Sequence, residues 1–151
     1  MTIEVQQVTE AHKAGWLEMW AGYLTFYKED LSAEQTERTW SRLMDPSFNM
    51  HGFVAVRDGQ VVGFTNYSWT NSTWDEHPNI YLEDLYVDSD LRGEGTGRAL
   101  IDAVTHVAHA HGSKRVRWIT HHTNATARKL YDKVATLSEF VMYDRDVNGN
   151  T

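Results

Sequence analysis

Residues 80–101, IYLEDLYVDSDLRGEGTGRALI, decide the fold. They open on an apolar run over 80–87 that reads as a central strand, broken only by Glu83 and Asp84. A turn comes next, then the loop Arg92-Gly93-Glu94-Gly95-Thr96-Gly97. Beyond it Leu100, Ile101, Val104, Val107 and Ala108 fall at helical spacing, and Gly112 ends the helix. Glycines at alternate positions let the backbone approach a ligand closely, and N–H groups at a helix N-terminus converge on an anion. Arg92 and Arg98 flank the loop as charge partners. The spacing is neither G-x-x-x-x-G-K-[ST] nor G-x-G-x-x-G, so nucleotide and dinucleotide loops are disfavoured. On the glycines alone, a flexible turn with a helix cap explains the loop as well as an anion cradle does.

Upstream, residues 2–8 alternate and read as a first strand. Thr9 caps a helix over 10–27, with Trp16, Leu17, Trp20, Leu24 and Tyr27 on one stripe. Ser32, with Gln35 as capping-box partner, opens a helix over 33–44 that Asp45-Pro46 stops. Residues 53–57 and 60–69 are strands around the hairpin signal Asp58-Gly59. Residues 71–79 are a polar loop. Downstream, 115–120 is a strand, 124–134 a helix and 140–146 a last strand. The order βααββ and then βαβαβ predicts antiparallel pairing in the first half and parallel pairing in the second. The expected fold is α/β: a mixed sheet with helices on both faces.

Composition bounds what this fold can do. The chain has 151 residues, the size of one domain over 1–151, and shows no linker or repeat. It is 41% hydrophobic and 23% charged, too apolar for disorder. Fourteen basic against 21 acidic residues give a charge of −7, which disfavours nucleic acid as a partner and suits a cationic small molecule. The absence of Cys excludes disulfides, thiolate metal sites and a Cys nucleophile. The segment MTIEVQQVTE does not read as a signal peptide, and no apolar stretch approaches the roughly 20 residues of a membrane span. A cytoplasmic protein without a membrane partner is expected. His106, His109, His111, His121 and His122 lack an accompanying carboxylate motif, so no metal site is expected.

Two motifs together resemble the GNAT superfamily of N-acetyltransferases. Its Arg/Gln-x-x-Gly-x-Gly/Ala signature reads Arg92-Gly93-Glu94-Gly95-Thr96-Gly97, just after the strand segment Leu85-Tyr86-Val87. Its Asn-x-x-Ala-x-x-Leu-Tyr motif reads Asn124, Ala127, Leu130 and Tyr131. The element order also matches, so the resemblance covers essentially the whole chain. Thr96 stands where an aliphatic residue is common, and Val134-Ala135 replaces the usual Gly-Phe. The resemblance implies acetyl-CoA as cosubstrate, with its pyrophosphate on the loop from Arg92 through Gly93, Glu94, Gly95, Thr96 and Gly97 to Arg98. It implies that pantetheine pairs with the edge at Leu85, Tyr86 and Val87 where two parallel strands splay, with Asn124 and Tyr131 completing that site. It further implies Tyr131 as general acid and a homodimer.

Carboxylates inside a central strand demand a reason. Glu83 and Asp84 either pair with cations and cap amides, or act as base and cation anchor. Successive strand residues face opposite sides, so both reach one site only if a bulge re-aims them. An alkyl amine of pKa about 10 arrives as an ammonium and must lose a proton before attacking a thioester. Glu83 is the candidate base, and Asp84, Tyr27 and Trp74 are candidate walls of a cation pocket. For Tyr27, helix core is an equal reading. Without Cys, transfer is direct, in a ternary complex. The segment around Glu83 resembles the diamine and polyamine acetyltransferase subgroup. The Tyr131–Ala135 region is similar to relatives that acetylate amino acids or protein amines. A catalytically silent acetyl-CoA-binding module is the reading from another class.

Overall fold

Asp58 and Gly59 both adopt positive φ, 53° and 76°, as a two-residue primed turn requires. They join β2 (His51–Arg57) to β3 (Gln60–Thr70) in the hairpin expected from the sequence. β1 (Glu4–Gln7) pairs antiparallel with β2, and β4 (Asn79–Val87) antiparallel with β3. β5 (Val116–Arg117) pairs parallel with β4. The sheet order is β1-β2-β3-β4-β5, a mixed sheet. This computed structural model describes residues 2–149, so residues 1, 150 and 151 of the expected domain lie outside it. The chain forms two compact units, Met1–Ile119 and Thr120–Thr151.

The first unit holds the sheet and three helices. A 3-10 turn, Glu10–His12, precedes α1 (Lys13–Phe26), so the helix expected over 10–27 starts one turn later. Ser32 Oγ caps α2 (Ala33–Met44) by accepting from the Gln35 N–H at 3.0 Å. The Gln35 amide turns to Arg38 instead of closing a capping box. On one face of the sheet, Trp16, Trp20, Trp40 and Leu43 pack over Val54 and Phe64. Trp16 is fully buried and stacks on Trp20 at 5.2 Å. Helix α1 comes this close because two of its residues are glycines. A Cβ on Gly15 would lie 2.6 Å from Val61 Cβ, and one on Gly22 2.7 Å from the Tyr86 hydroxyl. On the other face, Leu100 of α3 (Thr96–Ala110) packs on Ala55 and Val62, with Leu85 and Val87 beside them. Helices thus cover both faces, as expected.

The second unit contains α4 (Ala125–Val134), and none of its described residues is buried. Two expectations need correction. The strand over 115–120 shrinks to Val116–Arg117, and residues 140–146 form no strand. Both failures have one cause. A strand exists by pairing, and apolar pattern supplies no partner. Beyond Arg117 the chain leaves the β4 ladder, and residues 140–146 pair with no described strand.

Replacing Trp16 by Ala should empty the middle of the first face. Urea unfolding is expected to show a loss of about 3–5 kcal/mol. A loss under about 1 kcal/mol would mean that the α1–sheet contact is not what holds this face.

Candidate active site

In the β3–β4 ladder Asn66 opposes Asp84 and the next residue, Tyr67, opposes Leu82. Glu83 is therefore the extra residue of a β-bulge. Ser68 Oγ donates to Glu83 Oε1 at 2.9 Å, and Asn66 Nδ2 donates to Asp84 Oδ2 at 3.0 Å. Asn66 and Ser68 are two residues apart on β3 and share a face. Adjacent carboxylates, which a regular strand would send to opposite sides, thus both reach the α1 face.

Their environments differ. Glu83 is exposed. Asp84 lies under Tyr23, whose hydroxyl donates to it, and burial pushes its carboxyl above the usual range. The bonds from Tyr23 and Asn66 pull the other way without cancelling that effect. Asn66 also keeps a buried Oδ1 with no partner. The Tyr23 ring meets Tyr27 at 4.8 Å, and Tyr27 meets Phe26 at 5.1 Å, so the aromatic stripe continues past Tyr23. Trp74 instead sits on the 71–78 loop, 81% exposed, its N–H donating to Ser72 Oγ.

The glycine loop lies at the far end of β4. Gly93 and Gly95 hold φ at +88° and +86°, and a Cβ on either would point into open space. Gly95 is the N-cap of α3 and has no side chain with which to cap it. Thr96 is buried there and its Oγ1 has no partner. Gly97 and Arg98 lie in the first turn. The Arg92 guanidinium lies over the Phe26 ring at 4.8 Å and the Tyr86 ring at 5.6 Å. Glu94 is neutralised by Arg57 at 2.9 Å. Pairing of β4 with β5 stops at Tyr81. Leu85, Tyr86 and Val87 are therefore paired only on the β3 side, and their other edge meets no described strand. A cavity of about 340 Å³, lined by Arg57, Asp58, Gln60, Asp88 and Asp90 among others, lies at the hairpin turn rather than at the carboxylates.

In the second unit Asn124 caps α4, its Oδ1 accepting from the Ala127 N–H at 3.3 Å. Tyr131 is half-buried in the same helix. Sequence reading did not single out Asn66, Ser68 or Arg57. The signal was available for two of them: polar residues alternating inside the long strand β3 need partners where they are buried.

The Acetyltransferase (GNAT) family matches residues 14–135. The chain belongs to that family. It is accordingly an acyltransferase. It is 32% identical over 146 residues to the D-amino-acid N-acetyltransferase HPA3 of Saccharomyces cerevisiae, covering 95% of this chain and 91% of that one. It is 41% identical over 71 residues to the thialysine N-epsilon-acetyltransferase of Bos taurus, a match spanning 47% of this chain and 41% of that protein. Among solved structures, the aminoglycoside acetyltransferase AAC(6')-Iy in complex with a CoA bisubstrate analog superposes with a TM-score of 0.80. At 21% identity over 97% of this chain and 99% of that one, the likeness shows the shared fold.

Asp84 carries a testable sign. A carboxyl raised by burial weakens the fold where it is ionised, above its folded pKa. The penalty vanishes below the ordinary value of about 3.9, where folded and unfolded chains are both protonated. Asp84→Asn should be at least as heat-stable as the parent at pH 7, and the difference should shrink as pH falls towards about 4. A clear loss of stability at pH 7 would mean that the bonds from Tyr23 and Asn66 outweigh desolvation.

Proposed function

We propose that this enzyme transfers the acetyl group of acetyl-CoA directly to the primary amine of a small cationic acceptor. The observation that carries the reading is the bulge that turns Glu83 and Asp84 to one face, one carboxylate wet and one desolvated. The residues suit acetyl-CoA. Gly93 and Gly95 leave their Cβ directions open, Thr96 Oγ1 lacks a partner, and the β4 edge at Leu85, Tyr86 and Val87 has unpaired backbone on one side. Bound there, acetyl-CoA would supply an activated carbonyl and a thiolate leaving group. Loop N–H groups from Gly93 to Gly97, with Arg92 and Arg98, hold the pyrophosphate. Asp84 holds the ammonium against Tyr23 and Tyr27, and Trp74 adds a wall from its loop. Glu83 Oε takes the amine proton, directly or through water, while Ser68 steadies the carboxylate. A backbone N–H of β4 holds the developing oxyanion. In the second unit, Asn124 sets the start of α4 and Tyr131 Oη holds the proton that the departing sulfur requires.

A second acceptor class, an amino acid amine, is favoured by the 32% identity to the D-amino-acid enzyme over nearly the whole chain. Turnover with a diamine against a D-amino acid separates the two. The same proposal includes one domain over 1–151, a homodimer and a cytoplasmic location. No described helix is long and apolar enough to cross a membrane.

Glu83→Gln keeps size and removes the base. Near neutral pH kcat/KM should fall about 100-fold or more. The defect should shrink as pH approaches the amine pKa of about 10, because the amine then arrives deprotonated. A constant ratio across that range would remove Glu83 as the base. Asp84→Asn should mainly raise the amine KM. Separately, Gly95→Val forces a β-branched residue to φ near +86° at the loop. Calorimetry should show acetyl-CoA affinity at least tenfold weaker in a protein with native circular dichroism. Unchanged affinity in the folded variant would move the cofactor site elsewhere.

A further inference from the structure

Helix α3 starts without a side-chain cap. Its N-cap is Gly95, and no side chain accepts from the N–H groups of its first turn. Those groups and the positive end of the helix dipole attract a carboxylate. The nearest one in sequence is Glu94, immediately before the N-cap. It does not cap the helix. Its Oε2 accepts instead from Arg57 Nη1 at 2.9 Å.

Arg57 is well placed to hold it. It is the last residue of β2, opposite Gln60, and the Asp58-Gly59 turn fixes its backbone. The cavity of about 340 Å³ that Arg57 lines is otherwise acidic, with Asp58, Asp88 and Asp90 around it. Asp88 is held there, because its Oδ1 accepts from the Asp90 N–H at 3.0 Å. Arg92, next to the loop glycines, turns to the Phe26 and Tyr86 rings. Among the described residues Arg57 is therefore the cation that keeps Glu94 on this side. Without it, three aspartates would repel the Glu94 carboxylate, and the uncapped end of α3 would attract it.

We infer that Arg57 is a positioning residue for the cosubstrate: by holding Glu94 it keeps that carboxylate off the N-terminus of α3, whose N–H groups stay open to a phosphate. This rests on the reading above that acetyl-CoA binds the glycine loop. Arg57 touches no reacting atom and acts through Glu94. The pair stands partly in water, the side chains being 25% and 51% exposed. Such a pair contributes modestly, so its loss changes affinity a few-fold and does not abolish binding.

Calorimetry with acetyl-CoA on the parent, Arg57→Met, Glu94→Ala and the double variant tests this. Arg57→Met keeps the apolar stem and removes the charge. It should bind about fivefold more weakly, because Glu94 then competes with the phosphates for the helix end. Glu94→Ala should bind at least as tightly as the parent, and the double variant should recover the affinity of Glu94→Ala. The contact runs through one nitrogen, so Arg57→Lys should stay within about twofold of the parent. In turnover, Arg57→Met should raise the KM for acetyl-CoA and leave the amine KM unchanged. A role confined to hairpin stability would lower Tm and show no recovery in the double variant. Unchanged affinity in Arg57→Met overturns the inference. So does a weakness that persists in the double variant, or weaker binding by Glu94→Ala alone. If Arg57→Met does not fold, Arg57→Gln takes its place in the series. Unchanged affinity in folded Gly95→Val overturns the cosubstrate site and this inference with it. A loss in Gly95→Val without recovery in the Arg57 series overturns this inference alone.

Discussion

Glu83 is one residue too many for its ladder, and the architecture of the site depends on it. A strand alternates faces at every residue, so one inserted residue flips every side chain after it. Leu82 and Leu85, three apart, both serve the α3 side: Leu82 opposes Tyr67, which stacks on Phe53, and Leu85 packs near Leu100. Asp84 and Tyr86 then face α1. Without the bulge, Leu82 and Leu85 would face opposite sides of the sheet, and so would the two carboxylates. A similar step occurs in β3, where Val56 opposes Val61 and Ala55 opposes Gly63, leaving Val62 as the extra residue on the α3 side.

The same aromatic stripe that stabilises the fold also walls the site. Trp16, Trp20, Tyr23 and Tyr27 run along α1 in successive ring contacts, the first three also touching Phe64. The Trp16 end is a dry core. The Tyr23 end reaches a carboxylate. Tyr86 then carries the contact onward, meeting Tyr23 on one side and the Arg92 guanidinium on the other. Cation–π contacts of this exposed kind contribute about 0.5–1 kcal/mol, enough to bias where a loop rests. The Glu94–Arg57 pair ties the loop to β2 and offsets a negative charge just before the N-terminus of α3. Core packing, carboxylate pair and glycine loop are thus mechanically one object in the first unit.

Much of this was legible because its causes are local. The Asp58-Gly59 turn needs positive φ at two positions and holds residues that accept it. Ser32 and Asp45-Pro46 mark the ends of α2 as capping chemistry requires. The alternate glycines of the loop sit where two φ values near +90° and a helix start coincide. The carboxylate pair was conspicuous because charge in an apolar run is costly, and that cost alone required a bulge or a partner. The partners themselves, Asn66 and Ser68, sit 15 to 18 residues away on another strand. Register decides such pairs, and register is set across the whole ladder.

The sequence by itself therefore determined what depends on near neighbours: helix limits, the hairpin, the glycine loop, and the presence of two carboxylates that need an explanation. Tertiary structure alone decided what depends on pairing over distance. It placed the extra residue at Glu83, put Tyr23 on Asp84 and stopped β5 at Arg117. It also left 140–146 without a strand, although its apolar pattern is as strand-like as that of β4. The physical reason is the nature of the two kinds of order. A helix or turn satisfies its backbone within a few residues, whereas a strand is satisfied only by another strand, and sequence pattern does not say which one.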